Sequence, residues 1–195
     1  MNKSAAFLAG AMVVAAASPA AALGLNYGVR AGYGIGMPDP DKGVDSASVL
    51  AAGLGVMLDL AILGLEVDLL YNRQTTTYKG DIEGVVGNIA IPVLARGSFP
   101  VIPAFLSLDF GGGLEPRFPI SATLDGESKG ADGKEYTENL ESMPLYLPIF
   151  IGATLDIKLV KLNLDIRYER QLTASSKADE DARFHELVFM AGGFF

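Results

Sequence analysis

The chain has 195 residues, 50% of them hydrophobic, with 15 Lys and Arg against 23 Asp and Glu and a formal net charge of -8. Cysteine is absent and His185 is the single histidine, which excludes disulfides, thiol catalysis, zinc-thiolate centres and His-rich metal sites. The acidic balance speaks against a general nucleic-acid-binding surface, and no run reaches the roughly 18 apolar residues that a membrane-spanning helix needs.

Met1-Asn2-Lys3 supplies a short positive start, and Ala5 to Ala17 is an apolar run of small and aliphatic residues. Ala20-x-Ala22 follows as a signal-peptidase site. Residues 1–22 are therefore expected to be a cleaved export signal, with Leu23 opening the mature chain.

From there the hydrophobic period is two, the period of strands. Leu25, Tyr27, Val29, Ala31, Tyr33 and Ile35 make the first row, and Leu50, Ala52, Leu54, Val56 and Leu58 the second. Leu63, Leu65, Val67, Leu69 and Tyr71 form the third, with Glu66, Asp68 and Leu70 between them. Ile89 to Phe99 gives the fourth and Ala104 to Phe110 the fifth, opposite Ser107, Asp109 and Glu115. Leu145 to Leu155 is the sixth. The seventh alternates Leu162, Leu164, Ile166 and Tyr168 with Asn163, Asp165, Arg167 and Glu169, and the eighth ends the chain at Phe195.

Connections between these eight rows alternate in length. Short ones fall near Asp59–Ile62, Pro100–Pro103 and Lys158–Val160; long polar ones near Met37–Ala47, Gln74–Gly87, Phe118–Ser142 and Thr173–Arg183. The long segments hold 14 acids and 6 bases, so nearly all the excess acidity gathers at one end of an up-and-down meander.

Alternation alone does not say which face is buried. A soluble barrel of the lipocalin type would turn the aliphatic rows inward, whereas an outer-membrane barrel turns them to lipid. Three features favour the second. The polar face mixes glycines (Gly28, Gly32, Gly53, Gly55, Gly111, Gly152) with long ionic residues, as a narrow lumen requires and a water-facing strand does not. Aromatic residues gather near strand ends, Tyr27, Phe99 and Phe195 at one and Tyr33, Tyr71 and Tyr168 at the other, as in two interfacial girdles. The chain also ends on an aromatic residue. The expected fold is an all-β, closed, eight-stranded antiparallel up-and-down transmembrane barrel over residues 23–195, with ten strands as the alternative if the third long segment holds another hairpin.

Asn88-Ile89-Ala90-Ile91-Pro92-Val93-Leu94, the Gly111-Gly112-Gly113 run, Leu162 to Tyr168 and the terminal Phe195 resemble the small eight-stranded outer-membrane barrels of Gram-negative bacteria, the OmpA/OmpX-like and "outer membrane protein beta-barrel domain" group. The resemblance implies residence in the outer membrane among its lipids and lipopolysaccharide, a monomer, and recognition of Phe195 by the barrel-assembly machinery. It does not imply an activity. No peptidoglycan-binding domain is expected after the barrel.

The strongest constellation is a lumen set of Arg30, Glu66, Asp68, Arg96, Asp109, Asp165, Arg167 and Glu169. Three arginines among five acids suit an interior packed with ion pairs, because eight strands leave room mainly for side chains. The alternative is a narrow pore, whose surplus of acids would favour cations. Asp39, Asp41 and Asp45 around Gly43 have oxygen spacing that suits calcium but lack the third Asp and distal Glu of an EF-hand, so a solvated acidic loop is the simpler expectation. His185 invites comparison with outer-membrane lipid A deacylases, but Leu187 stands where their pattern needs Ser, and a nucleophile must lie within reach of its base. No enzyme activity, cofactor or metal is expected. The leading expectation is a structural or surface-interaction protein acting through acidic extracellular loops; a channel for small polar or cationic solutes is second, and a soluble periplasmic binder third.

Overall fold

The computed structural model describes residues 24–39, 44–60, 62–78, 81–128, 136–140, 143–173 and 183–195. Nine strands follow one another: β1 (Leu25–Asp39), β2 (Val44–Leu60), β3 (Leu63–Tyr78), β4 (Ile82–Ala90), β5 (Val93–Ile102), β6 (Leu106–Leu124), β7 (Leu145–Ile157), β8 (Val160–Gln171) and β9 (Arg183–Phe194). All neighbouring pairs are antiparallel, and β1 bonds to both β2 and β9, which closes the ring. β4 and β5 together form one crossing, interrupted at Ile91-Pro92. Both halves lie between β3 and β6, so the ring has eight crossings. Proline has no N–H for the ladder, yet the Pro92 carbonyl still accepts from the Asp68 N–H at 3.0 Å and the Ile91 N–H reaches the Pro116 carbonyl at 3.0 Å. That interruption corrects the fourth row to two strands without changing which side chains it shows outward.

The side chains are sorted inside-out relative to a water-soluble domain. Leu164 is 65% exposed and Ile151 64%, whereas Glu66 is 0% and Arg117 1%. The aliphatic rows therefore coat the outside, which removes the soluble-barrel alternative. Phe99, Phe105 and Phe195 lie on the outside near the short turns, and Tyr33, Tyr71 and Tyr168 toward the other end. Closure at this radius brings backbones close on the inner face. A Cβ on Gly55 would sit 2.5 Å from Asp68 Oδ1, and one on Gly192 would sit 2.7 Å from the Phe194 ring and 3.4 Å from Arg30. Those glycines make room for Arg30 and Phe194 to cross the interior.

The short connections fall near the expected places, at Ile62, at 103–105 and at 158–159, the second being shifted so that Ala104 belongs to the turn rather than to the fifth row; Ala104 and Lys158 take the left-handed region that tight turns use. Three of the long ones are shorter than the sequence suggests. β2 begins at Val44, β3 runs to Tyr78, β4 starts at Ile82 and β6 continues to Leu124. Thr75, Thr76, Thr77, Val85 and Val86 are good strand formers, and polar composition does not end antiparallel pairing once two strands are in register. Between β6 and β7 the described residues hold a single 3-10 turn, Tyr136–Asn139, and a bridge from Leu124 to Glu127. Among the described residues there is thus no further strand and no ten-strand barrel. The predicted export signal (1–22), most of the candidate calcium loop, and the tip around Asp132-Gly133 lie outside the described residues.

Leu164 stands outward in the middle of β8, flanked by Ala153 and Ala191. Leu164→Arg should cost about 2–4 kcal/mol in unfolding from lipid vesicles, the range for an arginine near the bilayer midplane. A variant as stable as the parent chain would mean that this face meets water.

Candidate functional site

Among the described residues the interior of the ring gathers a dense set of ionisable groups, and the strands deliver them at alternate positions. β1 gives Arg30; β3 gives Glu66 and Asp68; β5 gives Arg96; β6 gives Asp109; β8 gives Asp165 and Arg167. These seven form one tier in the half nearer the short turns. Arg30 pairs with Glu66 and Asp165 and donates to Asn163 Oδ1 at 2.7 Å. Arg167 reaches Glu66 Oε1 at 2.6 Å and Asp165 Oδ1 at 2.9 Å. Arg96 bridges Glu66 Oε2 at 2.5 Å and Asp109 Oδ2 at 2.8 Å. Asp109 is further held by the hydroxyls of Ser98 and Thr154, each at 2.6 Å. Glu66 is thus the hub, shared by all three guanidinium groups.

Glu169, the eighth residue of the predicted set, belongs elsewhere. It pairs with Arg117 in a second tier toward the long-loop end. Arg117 also donates from Nε to Glu115 Oε1 at 2.6 Å and from its two terminal nitrogens to Glu186, at 3.0 and 2.8 Å. Its guanidinium carbon lies 3.7 Å from the centre of the Tyr146 ring, close enough for a cation–π contact. One arginine therefore serves three carboxylates, all at least nine-tenths buried.

Between the tiers on one side of the lumen sits a small apolar layer: Ala51, Leu70, Ala90, Val188 and Met190. On β3 it falls between Asp68 and Asn72, and on β9 between Glu186 and Gly192, so a path along that side meets ions, hydrocarbon and ions again. Among the described residues, open space is found at the short-turn mouth. A cavity of about 460 Å³ there has Arg96, Asp109 and Thr154 in its wall, with Asp59 and Lys161 paired at 2.5 Å beside it.

Sequence reasoning missed Arg117, Glu115 and Glu186 as members of the lumen set. Arg117 falls between the fifth row, which ends at Phe110, and the long segment that begins at Phe118. The available signal was the outer row on the same stretch: Leu114, Phe118 and Ile120 are exposed at period two while Glu115 and Arg117 alternate inward. Glu186 lay on the correct face of the last strand but was not grouped with the other acids. His185 stands on the outer face, with Tyr168 as a hydrogen-bond and ring partner.

A closed ring with hydrocarbon outside and paired ions inside defines an integral membrane β-barrel. The family model described as outer membrane protein beta-barrel domain matches residues 6–195, and the chain belongs to this family; its place is the outer membrane. No curated protein matches the chain. Among solved structures, the neisserial surface protein NspA is similar at a TM-score of 0.58 and 15% identity, over 87% of this chain and 96% of that one. Ail, the attachment invasion locus protein of Yersinia pestis, solved with the heparin analogue sucrose octasulfate, matches at a TM-score of 0.48 and 14% identity, over 88% of this chain and 99% of that one.

Within the Arg117 tier, losing the cation and losing one acid should have unequal effects. Arg117→Gln leaves three buried carboxylates without their cation and should destabilise the barrel by about 3–5 kcal/mol. Glu169→Gln removes one acid from a tier already rich in them, leaves Arg117 paired with Glu115 and Glu186, and should cost clearly less. Urea unfolding in lipid vesicles measures both; equal losses would refute the shared-arginine arrangement.

Proposed function

We propose that this outer-membrane barrel is a closed, non-enzymatic structural element that meets its surroundings through the long-loop end. The observation that carries this reading is the blocked interior: three arginines tied to four acids, an apolar layer, then one arginine tied to three more acids. Charges bound to one another in this way are not free to hand an ion along a path. The acidic segments at the long-loop end supply an anionic outer surface, suited to contact with cations or basic macromolecules. A channel reading has one feature in its favour, the cavity at the short-turn mouth, which would act as a vestibule.

Planar-bilayer recording separates the two. The purified protein should give no stepwise openings, and Arg96→Ala, which unlocks Glu66 and Asp109 at the head of the cavity, should raise the background conductance. Regular openings in the parent protein that disappear in Arg96→Ala or Asp165→Ala would establish a pore.

Assembly depends in this reading on the end of the chain. Phe195 is 51% exposed on the outer face, and its N–H and carbonyl pair with Tyr27 at 2.9 and 3.2 Å, joining last strand to first. That position leaves its ring available to the barrel-assembly machinery until the seam closes. Deleting Phe195 should lower the yield of heat-modifiable, folded protein in the outer membrane several-fold; an undiminished yield would remove it as the assembly signal.

A further inference from the structure

The mouth of the ring at the short-turn end holds a feature that the closed lumen does not use. Its cavity of about 460 Å³ is bounded by two unlike walls. One is charged, with Asp59 at the end of β2, Asp156 on β7 and Lys161 on β8. The other is apolar, built from Ile62 of the first short turn and from Ile102 and Phe105 at the second. That second turn is fastened in place. The Phe105 N–H bonds to the Ile102 carbonyl at 3.0 Å, and the Phe105 carbonyl accepts from the Asp156 N–H at 2.8 Å. The apolar wall is therefore preformed, as the walls of small-molecule sites usually are.

The floor is the Arg96–Asp109 pair, and the hydrogen bonds around it decide what the cavity can take. Ser98 and Ser107 both direct their hydroxyl protons to Asp109, at 2.6 and 3.3 Å. A hydroxyl has one proton, so each serine oxygen has only lone pairs left to offer. Asp59 is occupied by Lys161 and by the Asn26 amide at 3.0 Å. Asp156 has no ion pair among the described residues; its Oδ1 accepts the Lys158 N–H at 3.1 Å. On the donor side stand only the Lys161 ammonium and the buried Arg96 Nε, which has no partner. The vacant capacity is thus mainly that of acceptors, one of them a carboxylate without a cation. Ser107 is the cross-strand partner of Thr154, two residues before Asp156. Ser107 and Asp156 are therefore diagonal neighbours on the inner face, near enough for one donor group to touch both.

We propose that this cavity binds a small organic amine with an apolar body, an arylalkylamine in form, which enters from the short-turn side. Its ammonium donates to Asp156 and to the Ser107 oxygen, and its ring lies against Ile62, Ile102 and Phe105. An alcohol of the same shape keeps the apolar contact but brings a single, uncharged donor, and a carboxylate meets acceptors. The ligand is held rather than passed on, because Arg96, tied to Glu66 and Asp109, closes the floor.

The test is an NMR titration of the full mature barrel in phosphatidylcholine nanodiscs, with empty nanodiscs reporting partition into lipid. Phenethylamine, phenethyl alcohol and phenylacetate are the probes. The amine should bind about tenfold more tightly than the alcohol, with phenylacetate weakest, and should shift the amide signals of Ser98, Ser107 and Asp156. Asp156→Asn keeps an acceptor for the Lys158 N–H and should bring the amine down to the affinity of the alcohol, which itself stays unchanged. Phe105→Ala should weaken amine and alcohol alike, several-fold. Heat-modifiable mobility checks that both variants are folded. Equal affinity of amine and alcohol in the parent protein would overturn the site without any variant. So would undiminished amine binding in Asp156→Asn, the absence of saturable binding, or shifts confined to outward residues such as Leu108 and Leu162.

Discussion

Hydrocarbon offers no hydrogen-bond partner, and the rest of this molecule follows from that. Each backbone N–H and C=O inside the bilayer must find another strand, so the sheet cannot end. The ring formed when β1 pairs with both β2 and β9 is the consequence. The same solvent sorts the side chains: Leu164 and Ile151 gain nothing by burial against one another when lipid is as apolar as they are, and Glu66 or Arg117 on that face would be ruinous. Polarity therefore inverts, and the ions have only the interior to occupy.

The radius then decides what the interior can be. Eight crossings enclose little more than the side chains themselves, so each carboxylate must meet a donor across the ring, and glycines such as Gly55 and Gly192 must stand where Arg30 and Phe194 cross. Buried ion pairs are weak evidence for stability, since desolvation consumes most of their attraction. What a network gives is order. Glu66 accepts from three arginines on three different strands, which fixes the relative positions of β1, β5 and β8 in a way that interchangeable aliphatic side chains would not. On the side of β3 and β9 the apolar layer of Leu70, Val188 and Met190 parts this tier from the Arg117 tier, while on β8 Arg167 and Glu169 follow one another directly, so the interior is filled rather than lined.

Much of this was legible in the chain. Period two over Leu162 to Glu169 states both the strand and its two faces, and the glycines between ionic residues distinguish a lumen from a water-facing surface. Seven of the eight predicted lumen residues meet in one network. The failures have physical causes. Polar stretches such as Gln74–Gly87 read as loops because composition was weighed above β-propensity, and the threonines and valines there continue the hairpin past the membrane. Arg117 stands just before the segment from Phe118 that reads as a loop, so the alternation of Leu114, Glu115, Arg117 and Phe118 was not followed beyond Phe110. That Glu169 faces Arg117 rather than Arg167, two residues away on its own strand, depends on stagger between non-neighbouring strands, and no single strand encodes that.

Because successive side chains on a strand face opposite ways, one short stretch can act in two media at once. In Tyr168-Glu169-Arg170 the outer residues lie on the lipid side, the tyrosine at the interface and the arginine a step above it, while the glutamate between them joins Arg117 in the lumen. The two functions are coupled through the backbone alone. A change at Arg170 alters what the outer leaflet meets without disturbing Glu169, and a change at Glu169 alters the packing of the second tier without moving the rim. Separation of this kind lets a barrel with a filled, constrained interior vary its outer surface freely, and it explains how a scaffold so restricted inside can still present surfaces fitted to different surroundings.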